Sequence, residues 1–222
     1  PGSSDVNGEF LGHTPSLGCC GLVEKDCNVI VTKSKGTGKC QYTIQLSKLT
    51  QNDENIYVGV HTKLAENIVE SAFKQNCISV LKNSTNIKRE VKFLNSRFDF
   101  TGETEDGEKF ILEVKSVPLA KDGVAYFPDG YRKKKGAVVS ERALKHINEL
   151  AEIKKTQGIR TFMCYVVQRN DVHSFKIADS DPIYKEAVNK AIEDGVEIIV
   201  LQIGWNGHGE GHLITDKLTL ID

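Results

Sequence analysis

One tryptophan, one methionine and five prolines stand in a chain of 222 residues. Nowhere does an apolar run reach the roughly 18 to 20 residues that a membrane-spanning helix needs. No basic-then-apolar leader opens the chain, so it reads as neither spanning nor secreted. The start Pro1-Gly2-Ser3-Ser4, without a methionine, reads as a trimmed N-terminus. The six cysteines, at 19, 20, 27, 40, 77 and 164, lack the spacing of a disulfide framework. Cys77 and Cys164 lie in apolar surroundings where the reduced thiol is common. The expected setting is therefore a reducing intracellular compartment, cytoplasmic or nuclear. A zinc site built from His13, Cys19, Cys20 and Cys27 is disfavoured, because adjacent cysteines fit poorly the usual ligand spacing of two to four residues. With 39% hydrophobic and 27% charged residues and no low-complexity run, the chain has the composition of a globular protein.

Excess charge of one sign is also lacking. Twenty-nine Lys and Arg against 30 Asp and Glu leave a net charge of −1. Affinity for a polyanion must then come from a local patch. Between 121 and 160 there are ten Lys and Arg against five acids, so that stretch carries +5 and the remainder −6.

Residues 8–49 read as short strands with glycine-rich turns, the texture of a small barrel or sheet. The polar stretch 50–55 breaks this pattern. Residues 62–74 place Leu64, Ile68, Val69, Ala72 and Phe73 on one side of a helix, with Thr62 as its expected N-cap and Glu66 and Glu70 one turn apart. Strands are predicted at 87–93, 96–102 and 109–117. A helix at 141–157 follows, capped by Ser140 and stopped by Gly158. An apolar strand from 160, a helix opening at Pro182 and a strand from 196 complete the pattern. The fold class is α/β (mixed α+β): a mixed sheet flanked by helices, antiparallel at its start and parallel at its finish, behind a small β module.

Glu113 and Lys115 interrupt the otherwise apolar strand KFILEVKSV. Alternation puts Phe110, Leu112 and Val114 on one face and Ile111, Glu113, Lys115 and Val117 on the other. The face on which Asp99 lies depends on register. A two-residue turn at Asp106-Gly107 would set it opposite Val114, on the wrong side. A three-residue loop of Glu105, Asp106 and Gly107 pairs Thr104 with Glu108 and hence Asp99 with Glu113, with Phe98 on Val114 and Phe100 on Leu112. Two neighbouring carboxylates do not both ionise readily unless a cation compensates them. Oxygen donors of this kind suit Mg2+ or Mn2+. Lys115 would then orient an attacking water and offset charge on phosphate. The competing reading is an exposed cross-strand salt bridge on a solvated sheet face.

The segments SRFDF, EVKSVPLA, FPD, SERALKHINEL and VVQRNDVHSF occur in this order. Together they resemble the sugar fermentation stimulation protein family over most of 59–197, with a weaker likeness at 13–18. The resemblance implies an N-terminal OB-like module, here 1–54, and a restriction-endonuclease-like domain of the PD-(D/E)xK type, here 55–222. It also implies DNA binding. Within that pattern Asp99 and Glu113 are the metal ligands, joined by the Val114 carbonyl, and Lys115 is the catalytic lysine. Glu90 matches a family acid and ranks ahead of Glu70 as a third metal carboxylate. The family's HCPNTG stands here as HTPSLG, which keeps His13 and Pro15 but puts Ser16 and Leu17 where polar partners would be.

The segment YRKKKGAVV is an insertion relative to the family. It supplies Arg132, Lys133, Lys134 and Lys135 as expected nucleic-acid contacts. Arg142, Lys145 and His146 match a family helix and are expected on phosphates, with a structural histidine as the alternative at 146. Gln168 sits where such nucleases often carry a polar residue. In GHGEGH, His208, Glu210 and His212 are spaced as metal ligands would be in a strand, but three glycines favour a hairpin tip. The expected function is a Mg2+- or Mn2+-dependent nuclease acting on DNA in preference to RNA, with no membrane partner and with a homodimer left open. The alternative is a non-catalytic DNA-binding regulator on a relic nuclease fold.

Overall fold

A computed structural model describes residues 8–14, 21–35, 38–128, 130 and 138–222. Four strands come first: β1 (Gly12–His13), β2 (Asn28–Lys33), β3 (Tyr42–Gln51) and β4 (Glu54–Gly59). The long β3 is their spine. It carries β2 antiparallel along one edge, while β1, parallel, and β4, antiparallel, share the other. The sheet therefore continues to Gly59, inside the range expected for the second unit. Among the described residues it is an open sheet three strands wide.

Helix α1 (Thr62–Lys74) follows. Its N-cap is His61 rather than Thr62, because the imidazole Nδ1 accepts the Lys63 N–H at 3.1 Å and occupies the place of a hydroxyl cap. The remaining elements are β5 (Thr85–Phe93), β6 (Ser96–Glu103), β7 (Lys109–Val117), β8 (Ala120–Lys121), β9 (Val124–Phe127), α2 (Glu141–Gln157), β10 (Arg160–Val167), β11 (Ser174–Ile177), α3 (Pro182–Glu193), β12 (Glu197–Trp205), β13 (Gly211–Thr215) and β14 (Leu220–Ile221).

The main sheet runs in the order β13-β12-β10-β7-β6-β5. Its β5-β6-β7 side is antiparallel, and β7-β10-β12 is parallel. This is the mixed sheet the element order predicts. Seven of the eight residues of β10 are buried, as both faces of a central parallel strand require. Helix α1 lays Ala65, Val69 and Ala72 on Phe100, Phe110, Leu112 and Val114. Helices α2 and α3 cover the opposite face, where Ile147, Leu150, Tyr184 and Val188 meet Ile111, Val117, Met163 and Tyr165.

The expected caps at Ser140 and Gly158 both form. The Ser140 hydroxyl accepts the Ala143 N–H at 3.1 Å, and Gly158 turns the chain at φ +67°. A small sheet in the order β14-β11-β9-β8 was not expected, since two of its strands are only two residues long. No helix of the described residues is long and apolar enough to cross a membrane.

The N-terminal sheet and the main sheet share material. Ile56, Val58 and Val60 pack with Leu119, and the Gly59 N–H donates to the Gln168 carbonyl at 3.0 Å. A Cβ on Gly59 would fall 2.1 Å from Gln168 Oε1, so only glycine allows this approach.

Candidate active site

The hairpin β6–β7 sets the geometry. Thr104 N–H donates to the Glu108 carbonyl at 2.8 Å and Gly107 takes φ +83°. This is the three-residue loop with a left-handed glycine. The ladder accordingly pairs Glu103 with Lys109, Gly102 with Phe110, Thr101 with Ile111 and Phe100 with Leu112.

There it stops. The next free amide on β7, Val114 N–H, donates to the carboxylate Oδ2 of Asp99 at 2.7 Å. The expected contact of Phe98 with Val114 is replaced. Phe98 belongs to the core under α2, and Phe100 and Val114 to the core under α1. Strict alternation thus fails across Asp99. On the facing strand Glu90 takes φ +53° between the pairs Arg89–Phe100 and Val91–Phe98. This distortion of β5 accompanies the twist that turns Phe98 over and frees the Asp99 carboxylate toward β7.

Glu113 is 1% exposed. Its Oε1 accepts from Lys115 Nζ at 2.5 Å and also from His146 Nδ1. An ionised carboxylate only accepts, so Nδ1 carries the imidazole proton. The other oxygen, Oε2, is buried and has no protein partner. Burial opposes ionisation of Glu113, but Lys115 and His146 together override it and hold the carboxyl below its ordinary pKa. Asp99 goes the other way. Burial first, then the charge of Glu113, push it up to about 7, against the Val114 amide and Lys115. Glu66 on α1 adds to the rise. Arg89 binds Glu66 at 2.9 Å, binds Glu70 as well, and lies over the Phe100 ring at 5.4 Å.

Other expected site residues fall elsewhere. His146 is not a phosphate contact. It is 4% exposed, beneath Glu113 and against the Phe98 ring, because the helix spacing from Ala143 to Ile147 and Leu150 turns it into the core. The alternation of apolar residues along α2 carried that signal. Glu90 is exposed and paired with Arg97 at 3.0 Å. Among the described residues no group of three or more His, Cys, Asp or Glu is placed to hold a metal, so Glu90 does not complete a triad with Asp99 and Glu113. Lys145 donates to the Asn95 carbonyl at 2.7 Å, and Arg142 is exposed. Asp129, Arg132, Lys133, Lys134 and Lys135 lie outside the described residues, as do Cys19 and Cys20.

Gln168 is buried. It donates to Ser116 Oγ at 2.7 Å, while its Oε1 has no partner. The 207–212 segment is a hairpin tip held by Asn206, whose Oδ1 accepts from the N–H groups of His208 and Glu210.

The match to the sugar fermentation stimulation protein RE domain covers residues 63–209. The chain belongs to the sugar fermentation stimulation protein family. Relatives in that family include a homolog from Clostridium perfringens, 33% identical over 193 residues that make up 86% of this chain and 78% of the relative. Another, from Desulforamulus reducens, is 34% identical over 191 residues, 85% of this chain and 74% of its own. Among solved structures, that of Pyrococcus furiosus SfsA in complex with Ca2+ superposes with a TM-score of 0.73 at 25% identity, over 86% of this chain and 77% of that one.

Within this family member, His146 is placed to fix the Glu113 carboxylate. His146→Leu leaves Oε1 with one donor and is expected to cost about 2 kcal/mol of stability. His146→Asn, whose amide nitrogen can stand in for Nδ1, should recover most of that. Chemical denaturation of the three proteins measures the difference.

Proposed function

We propose that the chain is a divalent-metal-dependent phosphodiesterase acting on nucleic acid, on DNA in preference to RNA. The observation that carries this reading is the second carboxylate oxygen of Glu113. It is buried and unpartnered beside Asp99, while the first is held by Lys115 and His146. Buried polar atoms without partners are rare and call for a ligand or a water. A buried carboxylate with one unused oxygen, close enough to a second carboxylate for their charges to interact, offers oxygen donors of the kind a hard dication takes.

Asp99 and Glu113 would hold Mg2+ or Mn2+, with the Val114 carbonyl from the same strand. When bound, such an ion supplies the positive charge that lets both carboxylates ionise together and offsets charge on a phosphoryl group. The chain's own residues do the rest. Lys115, 11% exposed at its side chain, presents an ammonium at the rim of the site, where it orients a water and neutralises charge developing on phosphate. The Ca2+ complex of the Pyrococcus furiosus relative supports a divalent ion in this fold.

A second reading has its own support. With no metal-competent group of three side chains among the described residues, and with Lys115 bound to Glu113, the chain fits a non-catalytic nucleic-acid binder. The test incubates purified protein with labelled single-stranded, duplex and structured DNA and RNA in Mg2+, Mn2+ or EDTA. Cleavage lost in EDTA and in both Asp99→Ala and Lys115→Ala is the expected result. Salt-sensitive binding without cleavage in the unaltered protein establishes the binder instead, and absence of both removes both readings.

A further inference from the structure

The turn joining β5 to β6 breaks three local rules at once. Phe93 pairs with Ser96, which leaves Leu94 and Asn95 as a two-residue turn. Leu94 occupies it at φ +48°, a left-handed conformation that a bulky side chain adopts only at a penalty and that glycine or asparagine would take freely. The same leucine is 38% exposed. One step back along the ribbon, Lys92 pairs directly with Arg97, two like charges across a ladder where opposite charges would stabilise. Neither is buried.

Sequence choices that work against the fold and gather at one point mark sites selected for something other than folding. Here they gather at the end of the β5–β6 ribbon, whose β5 is the edge strand of the main sheet. That ribbon also carries Asp99.

We infer that the β5–β6 turn is a duplex-contacting element, with Lys92 and Arg97 on backbone phosphates and Leu94 pressed against the base stack. The inference rests on the nucleic-acid reading of the site and adds where along the substrate the protein grips. Charge complementarity favours this occupant. Two opposed cations repel until a polyanion lies between them, and each phosphate contact then releases counterions. Glu90 pairs with Arg97 with both side chains at least half exposed, a surface contact that phosphate can displace. Apolar side chains that wedge against base steps are a recurrent means of holding and bending a duplex. Lys145 Nζ, bonded to the Asn95 carbonyl, ties the turn to α2 and keeps it from swinging away.

The ribbon also provides a ruler. At about 3.3 Å per residue, Arg97 lies roughly 7 Å along β6 from Asp99, and the turn roughly 13 to 16 Å from it. At about 3.4 Å per base pair this places Leu94 about five steps from the phosphate over Asp99 and Glu113.

The experiment uses the full chain in EDTA, where binding is read without cleavage. The probe is a duplex DNA labelled for anisotropy and carrying 2-aminopurine as a reporter of unstacking. Leu94→Gly relieves the backbone penalty, so it is expected to unfold at a higher temperature than the unaltered protein while losing the 2-aminopurine signal. A purely structural Leu94 would give the opposite sign on stability. Lys92→Ala with Arg97→Ala is expected to weaken binding at least about tenfold and to reduce the salt slope by roughly two. If duplex binding is intact in the unaltered protein and both variants match it in affinity, salt slope and 2-aminopurine signal, the inference falls alone. If the unaltered protein binds no nucleic acid, it falls together with the proposed function.

Discussion

Replacing Lys115 by methionine is expected to destabilise the fold and, on the proposed nuclease reading, to remove cleavage as well, with each loss readable separately. On the proposed reading the catalytic loss follows from taking away the cation assigned to phosphate, an effect of about a hundredfold to a thousandfold for one preorganised group. The stability loss follows from burial. Lys115 and Glu113 have side chains 11% and 2% exposed, and breaking such a pair by removing one partner costs about 3 kcal/mol or more because the other charge stays inside. With Lys115 gone, only His146 still opposes the burial that disfavours the ionised Glu113, so its folded pKa is expected to rise. Stability lost at about pH 8 is then partly regained as pH falls and the carboxyl takes up a proton. The double variant Lys115→Met with Glu113→Gln should therefore be more stable than Lys115→Met alone, a sign of direct coupling. Denaturant titrations of the four proteins at two pH values decide it. A Lys115→Met midpoint equal to that of the unaltered chain would show the pair to be solvated and the buried network wrong.

The sequence makes this hairpin legible because loop length, turn chemistry and alternation all specify the same register. Glu105-Asp106-Gly107 suits a three-residue loop, and a one-residue slip would carry Phe110 and Leu112 off the face that packs under α1 and bring Glu113 onto it. The helices are legible for similar reasons, through Ser140, Gly158 and Pro182. What alternation cannot convey is where a strand stops alternating. Phe98 and Phe100 look like one apolar face in sequence, yet they enter different cores, because the Asp99 carboxylate rather than a ladder partner takes the Val114 amide. At His146 the structural alternative is the one the fold takes, for a related reason. The family-helix match groups it with Arg142 and Lys145, which are exposed, whereas its place one turn from Ala143 and Leu150 turns it inward. His61 could not be ranked over Thr62 as a cap, since either side chain can accept the orphan amide.

The same network makes a second large expectation, at Asp99. Its carboxyl titrates at about 7 in the folded chain against an ordinary 3.8, through burial and the adjacent charge of Glu113. The folded value is the higher one, so the contribution to stability is present in full below the unfolded value and is lost as pH rises through about 7. The shift corresponds to about 4 kcal/mol. Asp99→Asn cannot titrate, so the stability of the unaltered protein minus that of Asp99→Asn should fall across this window, while carboxylates and histidines that do not interact with Asp99 cancel in the difference. Thermal denaturation between about pH 4 and pH 8 measures it, and parallel profiles for the two proteins would mean that Asp99 is not held protonated by Glu113. Mn2+ should reverse the trend at the alkaline end. A cation on Asp99 and Glu113 stabilises the state in which both are ionised, and at a pH of about 6 its binding should release close to one proton, which calorimetry in two buffers of different ionisation enthalpy detects. In Asp99→Asn both the proton release and most of the stabilisation should vanish. On the proposed reading, the part of the Asp99 shift that comes from Glu113 and the affinity for a dication are linked, since a bound charge would remove that repulsion while burial, the larger cause of the shift, remains.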